Sequence, residues 1–214
     1  MKDVSSIALK RYDICVPAMD MMPTPFVASF LCMKRVGASR ASFICNSLVY
    51  DARNKLAEDA IKTGADYVLW LDSDMQFAPD LMERLAGHMD NGIDYVSGLY
   101  FKRRFPVIPL IYDKVEIVDD DGKTKGVTQT YADYPRDSLF EIAGSGFGAV
   151  MTSTKLLKEV TDAYGAPFDP IPSVLGEDLA FCWRAKQLGY KLFCDSSIKV
   201  HHIGQFAYGE EHYQ

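Results

Sequence analysis

Along its first half the chain alternates short apolar runs with stretches whose apolar residues recur every three or four positions. That alternation is the pattern of an α/β fold built on a mostly parallel sheet. Residues 13–17 (DICVP) form the first expected strand. Behind it Thr24 offers an N-cap oxygen, and Pro25 suits the first helical position, where its missing N–H costs nothing. Phe26, Val27, Phe30, Leu31 and Met33 give this helix an apolar stripe. Residues 43–45 read as a second short strand. A helix follows, with Val49, Ala52, Leu56 and Ala60 at helical spacing and Gly64 to close it. Residues 67–71 (YVLWL) are apolar without interruption, as a central strand covered on both faces must be. The run stops abruptly at Asp72-Ser73-Asp74.

Pro79 and Asp80 open the next helix, Gly92 ends it, and residues 94–98 make a further strand. The character then changes: residues 114–131 are charged and β-rich, with Asp121-Gly122 as a hairpin-turn signal. Residues 139–151 return to apolar, glycine-rich sequence. Residues 154–164 and 177–188 read as helices, the second closed by Gly189, and two last strands are expected at 190–194 and 198–202. The turn residues of 105–137 mark an excursion from the main sheet, so one domain over 1–214 is expected, with halves at about 12–104 and 105–205.

A chain of 214 residues with 48% hydrophobic and 24% charged residues is apolar enough to bury a core. Twenty-nine Asp and Glu against 23 Lys and Arg leave a formal net charge of -6, which argues against non-specific nucleic-acid binding. The apolar runs fall far short of the about 20 residues that cross a bilayer, so no transmembrane segment is expected. The first residues, with Asp3 and two serines, lack the apolar core of a signal peptide. Cys15, Cys32, Cys45, Cys182 and Cys194 form no close pair and lie in apolar surroundings. They read as reduced, packed thiols, and the expected location is cytoplasmic.

Asp72 and Asp74 stand at the carboxyl end of the expected central strand, where open α/β sheets bind ligands. Hard cations such as Mg²⁺ or Mn²⁺ take oxygen ligands and often share them with substrate phosphates. In a strand the two carboxylates would point the same way; in a turn they would divide between metal and sugar hydroxyls. The alternative is a solvated loop whose aspartate caps the next helix. Gly176-Glu177-Asp178 opens a helix, where acidic residues complement the dipole and where a carboxylate aimed into a cleft can take a proton from an attacking hydroxyl. Alternation in the last strand puts Ile198, Val200 and His202 on one face and Lys199 and His201 on the other. His202 is then either a hydrogen-bonded core residue or, beside a carboxylate-bound metal, a ligand through neutral imidazole. Lys102-Arg103-Arg104 reads as a seat for a phosphate or anionic acceptor, or as a solvated loop. Residues 143–148 (AGSGFG) do not fit a dinucleotide fingerprint, and their glycines allow close approach by a ligand or backbone.

In order, these pieces are a strand ending near Pro17, Ala52-Arg53-Asn54, GADYVLWLDSDM, SGLYFKR, the glycine-rich 144–148, GEDLAFCWRAKQLGYKLF and Val200-His201-His202-Ile203-Gly204. Together they resemble family 2-like glycosyltransferases of the GT-A fold, particularly the short single-domain type of bacteria and bacteriophages. The likeness covers about residues 12–205 and is least in 114–136. It implies an α/β fold with an open, mostly parallel twisted sheet flanked by helices and a small β excursion. It also implies a hexosyltransferase-type enzyme that moves one sugar from a nucleotide-diphosphate sugar to an acceptor hydroxyl, using Mn²⁺ or Mg²⁺.

By the same resemblance, Asp74 binds the metal that bridges the donor diphosphate, and His202 is the second protein ligand. Asp72 contacts the ribose or sugar with a share in the metal, Arg53 reaches the nucleotide sugar, and Pro17 belongs to the donor site. Asp178 is the base, with Glu177 supporting or replacing it, and a single displacement implies inversion. The helix dipole is expected to keep Asp178 ionised at neutral pH. The Q-x-x-R-W signature of processive synthases is missing, Trp183-Arg184 being its nearest echo, so transfer of one sugar is expected. The acceptor, whether saccharide, lipid-linked or protein, is left open. A nucleotidyltransferase is the competing enzyme class, although residues 17–23 (PAMDMMP) lack the Gly, Lys and Arg of its basic loop. A catalytically inactive GT-A-like binding protein is the third reading.

Overall fold

The structure, a computed structural model, describes residues 9–204 and 207–213. Its first half consists of β1 (Arg11–Ala18), α1 (Thr24–Cys32), β2 (Ala38–Cys45), α2 (Val49–Thr63), β3 (Tyr67–Leu71), β4 (Met75–Phe77), α3 (Leu81–Asp90) and β5 (Tyr95–Leu99). Then come β6 (Ile111–Asp120), β7 (Lys123–Thr130), β8 (Leu139–Ile142), β9 (Gly144–Ser145), β10 (Ala149–Ser153) and α4 (Thr154–Tyr164). The chain closes with α5 (Glu177–Gln187), β11 (Leu192–Ile203), β12 (Ala207–Tyr208) and a 3-10 turn at Glu210–His212. The main sheet runs β12-β11-β5-β10-β3-β1-β2. β2, β1 and β3 pair in parallel, β5 and β11 likewise, and β10 runs against both of its neighbours. β7, β6 and β9 form the small excursion sheet. This is the mostly parallel α/β architecture expected from the alternation of apolar runs and amphipathic stretches.

Helices cover both faces, and the strand side chains divide between them. Val68 and Trp70 of β3 join the core cluster of α2, α4 and α5, while Leu69 and Leu71 join that of α1 and α3. All four are 0% exposed, which is why YVLWL shows no polar alternation. Local chemistry fixes the ends. Gly64, at φ 70°, closes α2 in a left-handed cap, its N–H turned back to the carbonyls of Ala60 and Ile61. Asp121 and Gly122, both at positive φ, make the tight turn that pairs Asp120 with Lys123. The Ser153 hydroxyl caps α4 by accepting from the Leu156 N–H.

Several expectations need correction. Pro23 occupies the N-cap of α1, and Thr24 is already helical and caps nothing. The apolar stripe of α1 is narrower than its sequence, because Leu31 is 77% exposed while Phe26 and Met33 are buried. Cys15, Cys182 and Cys194 are buried, but Cys32 and Cys45 are exposed; all five are free thiols. The two last strands are one strand, β11, with a register shift between Asp195 and Lys199. Asp195 holds that irregularity by accepting from the Ser197 N–H at 2.9 Å and meeting His88 Nε2 at 2.8 Å. β4 was not expected, and its pairing with β11 sets Met75 opposite His202. Among the described residues, no helix is long and apolar enough to cross a membrane.

Candidate active site

β3 ends at Leu71, and the chain turns back at once. The Asp72 N–H donates to the Gly148 carbonyl at 3.1 Å, and the Met75 N–H to the Asp72 carbonyl at 3.2 Å. β4 then pairs with β11, and the Ile203 N–H donates to the Asp74 carbonyl at 2.8 Å. This backbone clamp brings Asp74 to His202, whose Nε2 lies 3.4 Å from Asp74 Oδ2. Alternation in β11 holds: Ile198 and Val200 are buried, while the His201 side chain turns to Glu211.

His202 Nδ1 lies 2.9 Å from the Phe101 carbonyl, which only accepts, so this nitrogen carries a proton. Nε2 therefore faces the Asp74 carboxylate with either a second proton or a lone pair that needs a cation between them. Arg103 Nη1 also donates to Asp74 Oδ2, at 2.6 Å. Burial pushes the Asp74 carboxyl up, but the hydrogen bond from His202 and the charges of His202 and Arg103 outweigh it and hold the group below its ordinary value. These side chains and Asp72 line a cleft of about 310 Å³, with Pro17 and Met19 from β1 and its following loop and Ser47 and Val49 at the start of α2.

Asp72 turns the other way, into a charge cluster around Arg53. The Arg53 side chain is 2% exposed; Nη2 donates to Asp72 Oδ1 at 2.7 Å, and Nη1 donates to Glu177 Oε1 at 3.0 Å and to Asp178 Oδ1. Its guanidinium lies 5.4 Å from the Phe147 ring centroid and 6.0 Å from that of Phe168. Arg53 was expected to reach the nucleotide sugar. The structure joins it to three carboxylates, one of which, Asp72, lines the cleft.

That crowding governs Asp178. Burial drives its carboxyl up, Arg53 pulls it down, and the charges of Glu177 and Asp72 push it up again, to about 7. The helix dipole does not hold Asp178 in the ordinary carboxylate range: one cation serves three acids, and near pH 7 the group is shared between its charged and neutral forms.

The glycines at 144, 146 and 148 make room for side chains of the fold. A Cβ on Gly146 would collide with the Tyr100 hydroxyl, and one on Gly148 with the end of Met75. Tyr100 accepts from the Gly148 N–H at 3.0 Å and sets its ring at 75° to that of His202, 5.8 Å between centroids. Gly146→Ala is therefore expected to lose about 1–3 kcal/mol of stability by overpacking. Gly87→Ala, in α3 with nothing within 4 Å, should gain up to about 1 kcal/mol from helix propensity. Urea unfolding of the two variants checks the contrast.

The structure thus joins Asp74 with His202, and Asp72 with Glu177 and Asp178 through Arg53. It does not bring Asp72 into one ligand set with the other two: among the described residues, no group of three His, Cys, Asp or Glu side chains is placed to hold a metal ion. One carboxylate oxygen and one imidazole nitrogen facing each other fit a divalent cation that takes its remaining ligands from water and phosphate. Tyr100 and the Arg103 contact with Asp74 escaped the sequence reading, although both lie in SGLYFKR.

Residues 45–107 match the family model for glycosyl transferase family 2. None of the curated proteins matches the chain. Among solved structures it is similar to "Crystal Structure of A197 from STIV", at 17% identity and a TM-score of 0.62, over 92% of this chain and 86% of that one. The matched segment carries Arg53, Asp72, Asp74 and Arg103. The chain has a GT-A-like fold, and the match of residues 45–107 to the glycosyl transferase family 2 model supports glycosyl transfer as a general function.

Proposed function

We propose that the protein is a metal-dependent glycosyltransferase that moves one sugar from a nucleotide-diphosphate sugar to an acceptor hydroxyl, with inversion. The observation that carries this reading is the meeting of Asp74 Oδ2 and His202 Nε2 at 3.4 Å beside the cleft, with Nδ1 committed to the Phe101 carbonyl. Asp74 and His202 would hold Mn²⁺ or Mg²⁺, which would supply charge neutralisation on the leaving diphosphate. Pro17 and Asp72 border the donor's place in the cleft. Asp178 takes the acceptor proton on its carboxylate, and Arg53 fixes that carboxylate relative to Asp72, with Glu177 in support. The halves at about 12–104 and 105–205 then serve donor and acceptor within one domain.

EDTA is expected to abolish turnover of a nucleotide sugar and Mn²⁺ to restore it. Asp74→Ala and His202→Ala should lose the metal response, and His201→Ala should keep it. Asp74→Ala should leave the fold intact, losing about 0–1 kcal/mol with its partly exposed ion pair to Arg103. Assay against UDP, GDP, CDP and dTDP sugars separates the readings. Sugar transfer supports this one, nucleotidyl transfer would install the competing enzyme class, and full activity in EDTA would remove the metal.

A further inference from the structure

On the proposed function rests a second reading, of Arg103. We infer that Arg103 is a resting counterion, standing in the cation's place at Asp74 and passing to the donor diphosphate, so that metal and nucleotide bind cooperatively.

Three observations carry this. First, Arg103 Nη1 sits 2.6 Å from Asp74 Oδ2, the same oxygen that faces His202 Nε2 at 3.4 Å. An arginine and a divalent cation cannot share that oxygen without close repulsion. Second, the arm is built to move from a fixed base. The Leu110 N–H donates to the Tyr100 carbonyl at 3.0 Å and the Lys102 N–H to the Ile108 carbonyl at 2.9 Å, which pins the root of the segment. The Arg103 side chain beyond that root is 55% exposed. Its stem runs past Gly204, where a Cβ would come within 2.9 Å of Tyr208 Cε2 and 3.3 Å of Arg103 Cβ, so the glycine after Ile203 leaves room for both. Third, the arm has somewhere to go. Arg103 and His202 border both the Asp72–Asp74 cleft and an adjoining hollow of about 200 Å³ lined by Lys102, Arg104 and Leu110.

A guanidinium grips phosphate oxygens through two parallel donors, so a diphosphate in the cleft competes with Asp74 for Arg103. Donor binding then frees the carboxylate, and by linkage the cation must favour donor binding by the same factor. Without the donor, Arg103 suppresses binding of the bare cation.

Mn²⁺ titrations of the full chain followed by electron paramagnetic resonance, with and without saturating UDP, GDP, CDP or dTDP, test this without any turnover. Arg103→Gln should bind Mn²⁺ alone about two- to fivefold more tightly than the parent, the range for a partly exposed ion pair. The tightening of Mn²⁺ by the best nucleotide should shrink by at least that factor, and Arg103→Lys should lie between. Arg104→Gln removes the same charge one residue along and controls for net charge. If Arg103→Gln matches Arg104→Gln in Mn²⁺ affinity and nucleotide coupling, the inference is overturned while metal binding by the parent upholds the proposed function. If the parent binds no Mn²⁺ with any of the four nucleotides, both fall.

Discussion

Asp178→Asn is expected to lower sugar transfer by about 10²–10⁴-fold above neutral pH, the usual loss when a general base is removed. The parent should show kcat/KM rising with pH and levelling above about 7, because only the unprotonated carboxylate takes the acceptor proton and burial among acids holds Asp178 near that value. In Asp178→Asn this rise should vanish. Glu177→Gln should be milder and should shift the profile toward acid: its charge is one of those pushing Asp178 up, so removing it makes Asp178 easier to ionise. Donor affinity with metal should stay near the parent value in both. A flat profile between pH 6 and 8, or equal losses for the two variants, would leave Asp178 as a structural partner of Arg53 only.

How much of this was legible in the chain depended on the range of the interactions involved. β3 and α4 have the limits the sequence predicts, since an uninterrupted apolar run and a cap next to an amphipathic stretch are local signals. β4, three residues long, is too short for any period to register, and it forms because β11 offers it an edge. The polar run Asp195-Ser196-Ser197 looks like a break between strands, yet Asp195 and Ser197 satisfy one another and the strand continues through. Pairing of Asp74 with His202 was anticipated from alternation and resemblance, but their contact depends on that unforeseen β4 ladder.

Arg53 carried a local signal of its own. It stands with Leu56, Ala57 and Ala60 on the buried stripe of α2, at spacings of three, four and seven, and a charge inside an apolar stripe is a signal of a buried partner. The partners themselves were beyond reading. Glu177 and Asp178 arrive from α5, and nothing local couples them to Asp72.

Arg53→Met should cost about 3–5 kcal/mol of folding stability at neutral pH, the loss typical when one member of a buried ion cluster is removed. Methionine roughly fills the space beside Phe147 and Phe168 but leaves Asp72, Glu177 and Asp178 facing one another without their cation. The sign of the pH dependence separates this from simple loss of packing. Asp178 in the folded parent titrates near 7, above its unfolded value of 3.8. Its contribution to stability is therefore fully present below about 4 and lost as pH rises through 7. Without Arg53, which pulls it down, the folded value climbs further and the loss extends to higher pH. Urea unfolding should thus show a larger deficit for Arg53→Met at pH 9 than at pH 5, where protonated Asp178 no longer needs the cation. Arg53→Lys should recover part of the deficit at pH 9, since it restores the charge but not the fork that serves three carboxylates. An equal deficit at both pH values would mean that Arg53 acts through its packing, and the cluster would lose its claim to set the ionisation of Asp178.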